Sequence, residues 1–537
     1  MSEMLSGAEI LCRALVDAGV EVVFGYPGGA IMPFYHALPD HPQLRHILVR
    51  HEQAAAHAAD GYARASGRVG VCVATSGPGA TNLVTGLAAA HMDNSPVVAI
   101  TGQVSRPMIG RDAFQETDII GITLPITKQN YQVQDVSELA EVVAEAMAVA
   151  LDGRPGPVLV DVPKDVQNQK IAYGAPRARA RGQSRPLTPG GSPGHEDGVR
   201  KAARLIAGAE RPLIMVGHGV ILAQAYNDVR ALAEKTGIPV ITTLLGISAF
   251  PDGHPLHLGM PGMHGEVHVN RAIQHADVII GIGLRFDDRV TGNTASFAPQ
   301  ARIIHIDLDR AEIGKNVPVA VGIVGDARDI TRRLVAAVEP RRCERWLEHI
   351  RGFVRTRAES YRGNLSPEAI LASIYEASHG DCTIVTDVGQ HQMWVAKLYP
   401  YQRPNTHITS GGLGAMGFAV PAALGVHLAR PNGTVWAISG DGGFQMNMAE
   451  MATMVQEGLP VKMAVFNNGY LGMVRQWQQF FHEKRYSCTP IWSPDYLKLA
   501  EAYGIPGYRV KEAGELAEAV GRANVEPGPA LVEFMIE

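Results

Sequence analysis

The chain has 537 residues, 46% of them hydrophobic and 19% charged, with a formal net charge of −5. These are globular values for a chain too long for one core, so about three domains are expected. The acidic balance and the lack of a long basic run argue against a nucleic-acid partner, and no apolar run reaches the roughly eighteen residues of a membrane span. Cys12, Cys72, Cys343, Cys382 and Cys488 form no CxxC pair, as expected of structural thiols in a reducing compartment. The opening MSEMLSGAEI has no signal or transit pattern, so a cytoplasmic location is expected.

Strand and helix patterns alternate through three blocks, which predicts an α/β protein of three doubly wound parallel-sheet domains at 1–173, 199–338 and 366–537. The segment 174–198 is rich in Pro, Gly and Arg, lacks periodicity and reads as a linker. The segment 339–365 carries charges at helical spacing and reads as a surface helix and linker. In the first block, Ile47-Leu48-Val49 forms a short strand before the helix of HEQAAAHAADGYARASG. Glu52 falls at that junction in Ala-rich surroundings, where a poorly solvated carboxyl can share a proton with a ring nitrogen. The plain alternative is an acid favoured by the helix macrodipole. In the second block, Leu213–Val216, Pro239–Thr242, Val278–Ile282 and Ile303–Ile306 are the strand candidates.

The third block carries the strongest chemical signal. Val435–Ile438 leads into Gly440-Asp441-Gly442, a helical stretch ends at Gly458 and Pro460, and Val461–Phe466 leads into Asn467-Asn468. Such a βαβ unit places Asp441 and Asn468 at one edge of a parallel sheet. A carboxylate and an amide oxygen there suit Mg²⁺, which keeps few protein ligands and completes its octahedron with phosphate and water. Gly440 and Gly442 let backbone approach a diphosphate. An ordinary Rossmann-like turn would explain a lone Gly-Asp-Gly; the double Asn at this distance favours the metal–diphosphate reading.

This pattern resembles the thiamine diphosphate (ThDP)-dependent decarboxylase family. The resemblance implies Asp441, Asn468 and the main-chain oxygen of Tyr470 as Mg²⁺ ligands, with Gly442, Gly443, Gly469, Leu471, Gly472 and Met473 along the cofactor. It implies that Glu52 bonds the pyrimidine ring. Gln390 and His391 in DVGQHQMW would contact the diphosphate, and Gly414, Ala415 and Met416 in SGGLGAMGF would border the cofactor. Out of context, Met416 would be core packing. Site formation between the first block of one subunit and the third of another implies a homodimer or homotetramer.

Further stretches narrow the resemblance to acetolactate synthase catalytic subunits: RDAFQETD, PITKQNY, GRPGPVLVDVPKDVQ, GMHG, GLRFDDRVTG, HIDLDRAEIGKN and LGMVRQWQ. That family decarboxylates pyruvate and transfers the two-carbon unit to pyruvate or 2-ketobutyrate, with ThDP, Mg²⁺ and an FAD that has no net redox role. It usually works with a separate regulatory small subunit. The implied catalytic residues are Glu52, Gly29, Gln115, Lys164, Arg289 and Trp477, with Gly28 beside Gly29 and Lys128 beside the approach. Gly29 and Gln115 can stabilise an oxyanion, Arg289 a carboxylate, and Trp477 narrows the acceptor pocket. For FAD the matching positions are Arg154, Gly217, Gly219, Thr243, Leu244, Gly262, Met263, His264, Gly283, Arg285, Asp287, Asp307, Leu308, Asp326, Ala327, Gly411 and Gly412.

The sequence departs from the family at several places. His218 replaces a glycine, Asn94 a small hydroxyl residue, and Pro107 in SRPM a frequent arginine. Gly443 replaces a serine, which is expected to remove a hydroxyl donor to the diphosphate. Family members usually continue past GPALVEFMIE into a tail covering the active site, so weaker water exclusion is expected here. A pyruvate oxidase-type enzyme with a redox-active flavin and a non-catalytic paralogue are the rival readings.

Overall fold

The computed structural model describes residues 3–173, 193–354 and 365–536. Each of the three blocks folds around a six-stranded parallel sheet. In the first, the strand order is Arg45–Leu48, Val22–Gly25, Gly70–Ala74, Val97–Gln103, Val158–Pro163, Gln129–Gln132. The central strands are continuous apolar runs because helices cover both faces of a parallel sheet. In the third block the order is His407–Thr409, Cys382–Thr386, Thr434–Gly440, Lys462–Asn467, Ala530–Met535, Gly507–Val510.

The chain divides into two compact units: Met1–Ser184 with Cys382–His391 and Ile408–Glu537, and Arg185–Asp381 with Gln392–His407. Inside the first unit, helix Glu52–Ser66 lies against helix Ala419–Ala429. Glycine makes this approach possible. A Cβ at Gly61 would stand 2.2 Å from the Ala422 carbonyl oxygen, and one at Gly425 only 1.9 Å from that of Ala58. Beside this contact Arg64, buried, ion-pairs with Asp60 at 2.6 Å and Asp93 at 2.9 Å and donates to the Thr409 carbonyl. A buried charge is tolerated only when paired and hydrogen-bonded in this way.

In the second unit the four expected strands form, and His257–Gly259 and Val321–Val324 add the two edges. Both additions are short and interrupted by glycine, which hides them from a pattern search. Helix Pro367–Ala377, assigned to the third block by sequence, belongs to this unit. Helix Pro193–Ala207 begins within the expected linker, whose residues 174–192 lie outside the described residues. The expected surface helix forms at Glu344–Arg351, with Trp346 buried and its Nε1 donating to the Pro212 carbonyl at 3.0 Å. No helix among the described residues is long and apolar enough to cross a membrane. None of the five cysteines forms a disulfide, and Cys488 alone is exposed.

Candidate cofactor site

Strands Thr434–Gly440 and Lys462–Asn467 run parallel, with Gly440 opposite Phe466, so Asp441 and Asn468 leave the same sheet edge. The Gly469 N–H donates to Asp441 Oδ2 at 2.9 Å, and Gly469 has the left-handed φ of +68° that this loop requires. The Asp441 Oδ1 accepts from Gly442 N–H at 3.0 Å, and Tyr496 donates to the Asp441 carbonyl oxygen at 3.1 Å. The two asparagines divide their work. Asn467 turns into the sheet and donates to Glu533 at 2.7 Å; Asn468 stays in the loop, its side-chain oxygen accepting from Tyr470 N–H at 3.1 Å. Leu471 N–H bonds the Thr489 carbonyl, and Gly472 and Met473 open helix Gly472–Phe481. Trp477 in that helix is half-buried, its ring 5.3 Å from that of Phe481.

The neighbouring strand Cys382–Thr386 ends at Asp387, a residue the sequence reading passed over. Its carboxylate accepts from Val388 N–H at 2.7 Å and Gly417 N–H at 2.9 Å, and so anchors the loop holding Gly414, Ala415 and Met416. Burial pushes this carboxyl up to about 6. A Cβ at Gly443 would stand 2.6 Å from Asp387 Oδ1. A side chain at position 443 would therefore crowd the carboxylate that anchors this loop, which accounts for the glycine there. The Met416 methyl reaches the space in front of Gly442, shared with Leu471 and Ile491. Gln390 Oε1 closes on the Cα of Gly472, where a Cβ would stand 2.0 Å away.

These residues fit a metal–diphosphate group. His391 is 5% exposed, and its Nε2 has no hydrogen-bond partner, an arrangement that costs about 1–3 kcal/mol unless a ligand supplies one. Burial pushes this imidazole down to about 3, so it is neutral. Asp441 is 2% exposed, and burial raises its carboxyl above the ordinary range, a penalty that an adjacent cation offsets. Among the described residues there is no group of three or more His, Cys, Asp or Glu placed to hold a metal. A mixed set of carboxylate, amide and main-chain oxygen is what Mg²⁺ accepts when phosphate completes its shell.

In the first block, Glu52 is the first residue of helix Glu52–Ser66, with His51 as its extended N-cap. Its Oε2 accepts from Asn82 Nδ2 at 2.9 Å. Gly28 abuts Thr75, where a Cβ would come within 2.5 Å, and Gly29 is open. Gln115 takes a left-handed φ of +60° and packs its backbone on Gly77, itself at +56°. Such conformations in non-glycine residues concentrate at functional sites. Lys164 is exposed at the start of a short helix. Lys128, by contrast, donates to the Val149 carbonyl and to that of Asp152 at 2.5 Å, which caps helix Leu139–Leu151 and removes it from the approach. Arg106 ion-pairs with Asp165 at 2.8 Å, and Pro107 sits in a 3₁₀ turn whose first residues need no donor.

The flavin positions fall in both units. In the first, Asn94 ends helix Val84–Asp93 in the left-handed region at φ +60° and accepts from Arg154 Nε at 2.5 Å, which accounts for an asparagine at this position. The Gly411 and Gly412 N–H groups donate to Asp93 at 2.9 and 2.6 Å. Those N–H groups are therefore spent inside the protein. In the second unit, Gly217 and Gly219 lie against Gly283 so closely that a Cβ would approach to 2.2 and 2.7 Å. Thr243 and Leu244 follow the next strand. Gly262, at φ +95°, abuts the Arg289 carbonyl, which accepts from Met263 N–H at 3.1 Å. Arg289 also ion-pairs with Asp288 at 3.1 Å. His264 lies close enough to Arg289 and Lys397 for their charge to add to burial in lowering its pKa. Arg285 pairs with Asp287 at 3.5 Å, Asp307 precedes Leu308 at a strand end, and Asp326 caps the helix that Ala327 begins through two N–H bonds of 3.0 Å.

Comparison with known proteins matches three domain models: the thiamine pyrophosphate enzyme N-terminal TPP binding domain at residues 5–122, its central domain at 199–334 and its C-terminal TPP binding domain at 387–534. The chain is 50% identical to the acetolactate synthase of Mycobacterium bovis over 99% of its own length and 88% of the relative's. It is 46% identical to the acetolactate synthase large subunit of Corynebacterium glutamicum (99% and 87%) and 45% to that of Parasynechococcus marenigrum (99% and 88%). Similarity of this extent across all three domains, joined to a sheet edge that carries Asp441, Asn468 and a His391 Nε2 without a partner, places the chain in the acetolactate synthase large-subunit family of thiamine pyrophosphate enzymes.

Proposed function

We propose that this protein is an acetolactate synthase: it decarboxylates pyruvate and joins the two-carbon unit to a second 2-keto acid, pyruvate or 2-ketobutyrate, towards the branched-chain amino acids. The observation that carries this is the sheet edge where Asp441 is bound to Gly469 N–H at 2.9 Å beside a buried His391 Nε2 without a partner. Asp441, Asn468 and the Tyr470 carbonyl would hold Mg²⁺, and His391 and Gln390 the diphosphate. When bound, ThDP supplies the carbon nucleophile and the electron sink for decarboxylation.

The chain's own residues do the rest. Glu52 holds a proton at the aminopyrimidine, oriented by Asn82 at 2.9 Å. The open backbone at Gly29 and the amide of Gln115 meet a developing oxyanion. Arg289 offers a forked cation to the carboxylate of the second acid, with Lys164 adding positive charge for anionic substrates. Trp477 sets acceptor size, where one methylene is worth about 1–3 kcal/mol. FAD fits the close glycine crossings of the second unit, in a structural role. A homo-oligomer, a separate regulatory subunit and a cytoplasmic location complete the reading. Product analysis from pyruvate alone and from pyruvate with 2-ketobutyrate, with ThDP, Mg²⁺ and FAD supplied, tests it. Acetolactate and the mixed product are expected, with Trp477→Leu lowering the mixed share; acetate with stoichiometric flavin reduction would overturn the assignment.

A further inference from the structure

The turn that presents Glu52 is held by a side chain of the other cofactor-binding domain in the same compact unit. Strand Arg45–Leu48 ends three residues before His51, and the helix begins at Glu52. The N–H groups of a chain entering a helix have no partner of their own. Here Glu450 Oε1 accepts from Arg50 N–H at 2.8 Å, and the neighbouring His51 N–H lies near enough to favour the charged carboxylate. The other oxygen accepts from Thr453 Oγ1 at 2.7 Å, and that hydroxyl lies 3.1 Å from the Leu48 carbonyl oxygen. Arg50 closes the set, with Nη1 on Leu48 O at 2.7 Å and Nη2 on Gln456 Oε1 at 2.8 Å.

Glu450 is 1% exposed, and Thr453 is fully buried. A carboxylate in such a place is costly unless its oxygens are satisfied, and an apolar side chain would fill the volume more cheaply. Its presence is explained by what it binds. The location follows from a break in the helix after Asp441. Asn447 leaves helical geometry at φ −135° and donates to the Gly417 carbonyl at 2.7 Å. The chain then makes a 3₁₀ turn over Met448–Glu450 before helix Met451–Glu457. An unbroken helix would carry Glu450 elsewhere on its surface.

We propose that Glu450 is a positioning residue for Glu52. It fixes the backbone at Arg50, Asn82 fixes the carboxylate head, and together they set where Glu52 meets the aminopyrimidine. The inference rests on the functional reading above for what Glu52 does, and on the described hydrogen bonds for how it is held.

The test uses the full chain with Glu450→Ala, Glu450→Gln and Thr453→Val. Amide hydrogen exchange in the cofactor-free protein is read first. Arg50 is expected to lose protection in Glu450→Ala and to keep part of it in Glu450→Gln, which retains one acceptor oxygen. Exchange of the ThDP C2 proton in D₂O, with Mg²⁺ at saturation, is read second. Glu450→Ala should slow it about 10–100-fold, the scale of an ångström-level misplacement, with ThDP affinity little changed and Glu450→Gln intermediate. Unchanged protection of Arg50 would overturn the inference, as would normal C2 exchange in a folded Glu450→Ala. If the alanine variant does not fold, the other two decide on the same readouts. Failure of the wild-type protein to bind ThDP or speed C2 exchange would instead overturn the functional reading, leaving the amide measurement to judge the clamp.

Discussion

Two buried aspartates, Asp387 and Asp441, end neighbouring parallel strands and do opposite things. Asp387 is enclosed by the protein: it accepts from Val388 and Gly417 N–H groups and lies under Gly443. Asp441 is bound by Gly442 and Gly469 N–H, yet it stands in the loop with Asn468 and Tyr470, whose oxygens suit a cation. Burial raises both carboxyls. The difference shows that the end of a parallel strand is only a location. Whether a carboxylate there serves the fold or a ligand depends on which loops return to it.

The sharpest break of the comparison is Asp441→Ala. It should lower Mg²⁺-dependent ThDP affinity by about 100-fold or more, since even loss of outer-shell partners costs 10–100-fold, while the apo-protein keeps its fold. Calorimetry with both ligands reads this, and unchanged affinity would displace the metal site. Asp387→Ala should do the reverse. Leaving buried N–H groups without an acceptor costs about 1–3 kcal/mol, seen as a lower denaturant midpoint in the absence of cofactor.

The acid range sharpens the contrast further. Asp387 protonates near 6 when folded and near 3.8 when unfolded, so the folded state holds its proton more tightly. Its contribution to stability is therefore full below the unfolded value and is lost as pH rises towards 6, on the order of 3 kcal/mol in all. Asp387→Asn should remove that part of the pH dependence, measured as urea midpoints of the apo-protein at several pH values between 4 and 7. The smallest effect is expected for Gly443→Ser. Its Cβ would crowd Asp387 at 2.6 Å, and ThDP affinity should change little. A marked gain in affinity would return position 443 to the diphosphate.

Much of this was legible because it is periodic or local. The strand before Gly440, the stop at Gly458 in its left-handed φ of +64° and the strand before Asn468 all follow from patterning and turn chemistry. The helix break at Asn447 was not legible, because it depends on the Gly417 carbonyl thirty residues earlier. The same holds for Lys128, whose charge suggested substrate steering until the carbonyls of Val149 and Asp152 were found to take it. The bonds of Gly411 and Gly412 N–H to Asp93, far away in sequence, likewise leave no local trace.

By itself the sequence determined three parallel α/β domains, the strand ends that carry Glu52, Asp441 and Asn468, and the family resemblance, since strand alternation, glycine conformation and motif spacing act over a few residues. Only the tertiary structure decided which buried groups are spent on the fold and which remain for a ligand. Asp93, Asp387 and Glu450 satisfy distant backbone N–H groups, and His391 Nε2 is left without a partner. Hydrogen bonds of that range are set by which loops meet, and a buried polar group can be counted as available only after every such partner is known.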